Sequence, residues 1–259
     1  LVPDSLWTTT CGEGSPVVLA HGFTHTSRSW GPFSGLLAER HEIRLVDLPG
    51  HGFSERVQAG FEDAARLLGE TGGEAAYVGY SMGGRMSLRL ALDSPEKVTA
   101  LVLIGASPGI EDPDEREQRR REDERMAEDL EGPDAEDEGR LGAFIDRWLS
   151  LPLFRTLPRE RAGISARLEN TCAGLGSSLR LCGTGTQEPL WDRLFELDMP
   201  VLFMAGEHDP KYRAIGERLV RLVGPNARLA IVPDAGHACH LERPDECARL
   251  VLDFLARAR

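Results

Sequence analysis

Lysine is nearly missing from this 259-residue sequence: of 30 basic residues only Lys97 and Lys211 are lysine, and the rest are arginine. Genomic base composition accounts for such a bias most simply, and arginine's planar fork also suits bidentate binding of carboxylates. No basic face appears, which argues against a nucleic-acid partner. No apolar stretch approaches the roughly 20 residues that span a bilayer, so no membrane insertion is expected. The opening "LVPDSLWTTT" has no basic start followed by an apolar run, so no signal peptide is expected either. The five cysteines (Cys11, Cys172, Cys182, Cys239, Cys247) are scattered, odd in number and form no C-x-x-C pair. That usage fits a reduced, cytoplasmic chain with no structural metal. No internal repeat is present.

What the chain does carry is acid, and unevenly. The formal net charge is −12, and residues 111–140 alone hold 15 Asp/Glu against 6 Arg. The run reads as a solvated helix face laced with intrahelical ion pairs, part of it mobile. Around it, the composition is that of an ordinary globular protein, 41% hydrophobic and 28% charged.

Short apolar, β-rich runs alternate with helical patterns. "PVVLA" (16–20), "EIRLVDL" (42–48), "AAYVGY" (75–80), "VTALVLIGA" (98–106), "VLFMAG" (201–206) and "ARLAIVP" (227–233) read as strands. Helical segments fall near 28–39, 60–70, 82–94, 211–223 and 242–257. This alternation predicts an α/β fold with a mostly parallel central sheet covered by helices on both faces. It stops between about 109 and 190, which predicts a helical cap inserted over the end of the sheet. The expected domains are a core of 1–108 and 191–259 and a cap of 109–190.

Gly79-Tyr80-Ser81-Met82-Gly83 matches G-x-S-x-G between a strand and a helix. There the serine occupies a tight turn that lifts its oxygen above the sheet, while the flanking glycines let strand and helix approach. Asp209 follows the strand at 201–206, and His237 lies in the loop after the strand at 227–233. The chain order Ser…Asp…His suits a hydroxyl, a base and an acid that orients the base. Glu207 and Asp234 are competing acids, read as solvated loop or capping residues. His240 competes with His237 and reads as a locally hydrogen-bonded helix-start residue. His208 reads as a loop residue. The backbone N–H groups of Phe23, in "LAHGF" (19–23), and of Met82 are the candidate oxyanion donors. His21 is expected to brace that loop, and "DLPGHGFS" (47–54) to form a tight turn beside the site.

Together "LAHGF", "DLPGHGFS", "GYSMGG", "GEHD" and "GHACHLERP" resemble the α/β-hydrolase superfamily across nearly the whole chain. A narrower resemblance, to the MenH family of 2-succinyl-6-hydroxy-2,4-cyclohexadiene-1-carboxylate synthases, is carried by "GYSMGGRM", "RLEN" (167–170), "GLGSSLRLCGTGTQEPLWDRL" (174–194) and "HACHLE". It implies a cofactor-free lyase of menaquinone biosynthesis that eliminates pyruvate from a polycarboxylate cyclohexene. Ser81, His237 and Asp209 would then work as a base, without an acyl-enzyme. The resemblance also implies substrate-binding roles for Tyr80, Arg85, Arg119, Trp148 and Arg167. Each has a plainer reading: a surface ion pair for Arg85, one more solvated residue for Arg119 (with Arg120 as its rival), and insertion core for Trp148. The competing functions are a serine carboxylesterase that forms an acyl-enzyme and a non-catalytic binding protein on the same scaffold.

Overall fold

Seven strands pair into one sheet in the order β1-β3-β2-β4-β5-β6-β7. They are β1 Thr8–Cys11, β2 Pro16–Ala20, β3 Glu42–Val46, β4 Ala75–Tyr80, β5 Val98–Ile104, β6 Val201–Gly206 and β7 Ala227–Val232. Every neighbouring pair is parallel except β1 and β3. The structure is a computed structural model and describes residues 5–132 and 137–258. The first four residues of the opening segment, and residues 133–136 of the acidic run where mobility is expected, lie outside the described residues.

Alternation along the strands sorts their side chains into two cores. Val18, Ala20 and Tyr77 face one, and Val17, Leu19, Val78 and Tyr80 face the other. Helices α2 (Phe61–Gly72), α3 (Met82–Asp93) and α8 (Pro210–Val223) pack on the first face. On the second lie α1 (Pro32–Ala38), the one-turn α9 (Cys239–Glu242) and α10 (Pro244–Arg257). β4 is buried throughout, as its unbroken apolar run requires.

The structure differs from expectation at the edges. β1 has no counterpart among the expected strands: its residues are Thr-Thr-Thr-Cys, all exposed on the sheet's outer edge, so no apolar pattern marks it. Three strands end earlier than their apolar runs, because Asp47, Leu48, Gly105, Ala106 and Pro233 already belong to the connecting turns. The helix expected from residue 28 begins only at Pro32, the first position a proline tolerates.

Between β5 and β6 lie α4 (Pro113–Glu131), α5 (Asp137–Leu149), α6 (Ile164–Arg167) and α7 (Cys172–Cys182). α4, α5 and α7 share a separate small core built from Ala127, Leu130, Phe144, Ile145, Leu175 and Leu179. Asp112 starts α4 by accepting hydrogen bonds from the Asp114 and Glu115 amides at 2.9 Å, with Pro113 at the first helical position. The acidic run then forms the ion-paired helix expected of it, with Arg120 and Arg121 both on Glu117.

Candidate active site

The turn from β4 to α3 is strained at Ser81, whose φ is 48° and ψ −106°, at a cost of about 1–3 kcal/mol. Backbone hydrogen bonds hold it: the Ser81 amide donates to the Ile104 carbonyl and the Gly83 amide to the His21 carbonyl, both at 2.9 Å. A Cβ on Gly83 would collide with the Ala20 and His21 carbonyls, so only glycine lets the helix sit so close to β2. Ser81 is half-buried and lines a cleft of about 80 Å³ between sheet and cap.

His237 and Asp209 come from the ends of β7 and β6. The His237 Nδ1 lies 3.0 Å from Asp209 Oδ2, and both residues are buried. Asp209 also caps α8, accepting from the Tyr212 amide at 3.3 Å through its other oxygen. The Tyr212 ring packs 4.5 Å from the imidazole, and Gly105 gives the imidazole room, since a Cβ there would stand 2.9 Å from its Cε1. This leaves His237 Nε2 as the free ring nitrogen. His237 and Ser81 line the same cleft, although no hydrogen bond joins them in this structure; such contacts often tighten only when substrate is bound. Neither the Phe23 nor the Met82 amide donates to a protein acceptor among the described residues. Both therefore stay available as donors beside the serine.

All three arginines implied by the resemblance line this cleft, with Tyr80 and Trp148. Arg85 is buried and is not the surface ion pair of its plainer reading: its guanidinium donates to Gln187 Oε1 at 3.0 Å and to the Cys182 carbonyl at 2.7 Å. Arg167 is fully buried; it donates to the Ala162 carbonyl at 2.7 Å, to the Thr24 hydroxyl and to His25 Nε2. Burial pulls both guanidinium groups down to about 10, so each stays charged at neutral pH. Neither has a carboxylate ion-pair partner among the described residues. Arg119 differs, being partly exposed and paired at 2.9 Å with Asp123, a buried acid that also lines the cleft. Burial raises the Asp123 carboxyl above its usual range, with the Arg119 guanidinium opposing. Arg120 points elsewhere, to Glu117 on the exposed side of α4. Trp148 fills both of its readings: it lines the cleft and joins the cap core, 5.0 Å from the Phe23 ring.

Among the rival residues, His240 is not hydrogen-bonded locally as expected. It is fully buried, neither ring nitrogen has a hydrogen-bond partner among the described residues, and its ring packs on Tyr80 at 4.4 Å and Trp30 at 5.1 Å. Burial holds it at about 3, neutral. His21 braces its loop, with Nδ1 at the Gly22 carbonyl and Nε2 accepting from the Leu48 amide. Glu207, His208 and Asp234 are exposed; their ligand atoms lie within 4.8 Å of one another, with Asp234 already paired to Arg243. Asp47 ties the "DLPGHGFS" turn down, accepting from the Ser27 and Phe53 amides.

Sequence reasoning passed over Thr24, His25 and Asn170. Asn170 bridges the cap to both loops, donating to the Thr24 carbonyl at 2.8 Å and accepting from the Gly52 amide at 3.0 Å. Thr24 stands at φ 66°, a conformation a β-branched residue rarely takes. The only available signal was a second histidine four positions after His21, inside a loop.

Comparison with known proteins gives a consistent picture. Residues 17–250 match the alpha/beta hydrolase family. A Bacillus subtilis (strain 168) chain named for 2-succinyl-6-hydroxy-2,4-cyclohexadiene-1-carboxylate synthase is 35% identical, covering 92% of this chain and 89% of that one. The synthase of Enterobacter sp. (strain 638) is 32% identical, covering 92% and 91%. MenH from S. aureus superposes with a TM-score of 0.87 at 29% identity, over 97% of this chain and 98% of that one. A malate-bound thermophilic esterase from Thermogutta terrifontis shares the fold, with a TM-score of 0.78 at 22% identity over 98% and 93%.

Proposed function

Since the chain belongs to the alpha/beta hydrolase family, we propose that it is a MenH-type lyase, eliminating pyruvate from a succinyl-enolpyruvyl-cyclohexene carboxylate. The observation that carries this reading is the pair of buried guanidinium groups, Arg85 and Arg167, held by neutral acceptors within the serine's cleft. Burying a guanidinium without a carboxylate at ion-pair distance is costly, and Asp123 acts on Arg85 only from beyond that distance, so a site that buries two such groups favours an anionic ligand. An acetyl or butyryl ester gives those charges nothing to bind. Two or three carboxylates on a ring do, with Arg119 available once the substrate competes with Asp123.

In this reading His237, held through Nδ1 by Asp209, draws a proton through Ser81 from the ring carbon next to the succinyl carbonyl. That carbon–hydrogen bond breaks, and its electron pair becomes an enolate whose oxygen meets the Phe23 and Met82 amides. The electrons then return through the ring double bond and expel the enolpyruvyl oxygen, and the departing enolate gains a proton to become pyruvate. No bond to Ser81 forms, and the site needs no metal or organic cofactor. Tyr80 and Trp148 wall the pocket. The reading places the enzyme in the cytoplasm, where its five cysteines stay reduced.

The deciding experiment measures pyruvate release from the cyclohexene substrate beside hydrolysis of p-nitrophenyl acetate. Catalytic pyruvate release with slow ester turnover is expected. A burst with the ester, labelling of Ser81 by a fluorophosphonate and no pyruvate would replace the lyase with the carboxylesterase.

A further inference from the structure

We propose that His25, backed by Thr24, is a positioning residue that fixes the Arg167 guanidinium for a substrate carboxylate; this rests on the reading above, in which Arg167 receives one. Arg167 spends three N–H donors on neutral acceptors: the Ala162 carbonyl, the Thr24 hydroxyl and His25 Nε2. A guanidinium has five donors and no acceptor, so two remain for a ligand. For the same reason His25 Nε2 carries the lone pair and Nδ1 the proton. His25 is itself buried, stacked 5.3 Å from the Tyr80 ring, and lines the cleft with Arg167.

The acceptors are fixed before any ligand arrives. The Thr24 amide donates to His51 Nε2 at 3.3 Å, its carbonyl accepts from Asn170, and the His25 amide closes a turn onto the Gly22 carbonyl at 3.1 Å. Phe23, which lines the cleft with Ser81 and whose amide is the oxyanion donor in the reading above, is the residue before Thr24. One short loop therefore carries both an oxyanion donor and the two side chains that aim the carboxylate clamp. A leucine at position 25 would keep the bulk but remove the acceptor. It would leave a long, rotatable arginine to find its own place, with the entropy cost that preorganisation avoids.

The test is a thermodynamic cycle, read as affinity for tricarballylate by calorimetry. Arg167→Ala is expected to weaken binding about 100-fold and His25→Leu about 10-fold. His25→Gln, which keeps an acceptor, is expected to recover most of that loss. In the Arg167→Ala background His25→Leu should cost less than about 2-fold, because the group it aims is gone. Equal losses from His25→Leu with and without Arg167, or no recovery with glutamine, would overturn the positioning role alone. Failure of the unaltered protein to bind the tricarboxylate, or binding indifferent to Arg167→Ala, would overturn the polycarboxylate reading and this role with it. Should His25→Leu not fold, Thr24→Val removes the other acceptor at constant shape and runs the same cycle with the same outcomes.

Discussion

α3 and α4 each bring one arginine to the same cleft, and they could hardly be built more differently. Ten of the twelve residues of α3 are buried, between α2 and the sheet. Of the nineteen in α4, three are: Asp123, Ala127 and Leu130. The first helix has its start fixed by backbone hydrogen bonds and a glycine contact with β2. The second lies on α7 through a few apolar side chains and is otherwise a lattice of Arg–Glu pairs. Arg85 on α3 therefore lines the cleft with no carboxylate at ion-pair distance among the described residues, whereas Arg119 on α4 is directly paired with Asp123, which acts on Arg85 only from further away. In the lyase reading, the chemistry belongs to the buried helix and a second, exchangeable contact to the largely exposed one.

The largest expected effect tests the buried side. Ser81→Ala should lower kcat for pyruvate release by about 10³-fold, within the range for losing a proton-transfer group, with KM and Tm nearly unchanged. A loss seated in KM would mean that α3 contributes binding, not chemistry. Next come the two arginines. Arg85→Ala should cut kcat/KM for the polycarboxylate about 100-fold and Arg119→Ala about 10-fold, because only the first removes a charge with no internal substitute. Equal losses would erase the contrast between the helices. Losses just as large on a neutral ester would remove the carboxylate clamp itself.

The same contrast separates what the sequence revealed from what it hid. β2, β4, β5 and β6 were readable because burial on two faces writes a continuous apolar run, and the G-x-S-x-G turn because its glycines answer a local steric demand. The position of His237 against Asp209 followed from the topology, since both stand at the ends of neighbouring parallel strands. Cap geometry was not readable this way. Arg119 and Arg120 are adjacent on a helix charged on nearly every face, and only packing on α7 decides which one turns inward. Arg85 reads as a surface residue because its partners, Cys182 and Gln187, lie about a hundred positions further on. His240 showed no polar pattern to break: its shell of Trp30, Phe33 and Tyr80 is assembled from two segments far from it in the chain.

Acid offers a smaller and more global test. All seven histidines lie outside the cap segment; six are buried, and in four of these burial disfavours the charged form. Burial holds His21 at about 4 and His51 and His240 at about 3, and it takes His25 well below its ordinary value. These folded values lie below the unfolded one, near 6.5. The stabilisation is therefore complete above that pH and is lost as pH falls towards 4, where the unfolded chain binds protons that the native core refuses. The slope is about 1.4 kcal/mol per pH unit for each such group. Tm should fall by about 10 °C or more between about pH 7.5 and about pH 5.5. A flat profile would show these imidazoles to be solvated, and the core less rigid than the comparison requires.

The smallest effects lie within α4 itself, where two ion pairs of the same i,i+4 spacing differ sharply in burial. Glu117 pairs with Arg121 on the exposed face, while Asp123 pairs with Arg119 from inside. Solvent and mobile ions already screen the first pair, so Glu117→Gln should leave both Tm and turnover unchanged. Asp123→Asn keeps the shape but removes a buried charge, leaving Arg119 without its counter-ion. It should cost about 1–2 kcal/mol, less than a fully buried pair because Arg119 is partly exposed. The freed guanidinium should at the same time lower KM for the polycarboxylate, since the substrate no longer competes with an internal carboxylate. Lower stability and tighter binding in one variant is a combination that simple damage to the cap cannot produce. A rise in KM would instead make Asp123 the residue that holds Arg119 in place, and the exposed helix would then be as preorganised as the buried one.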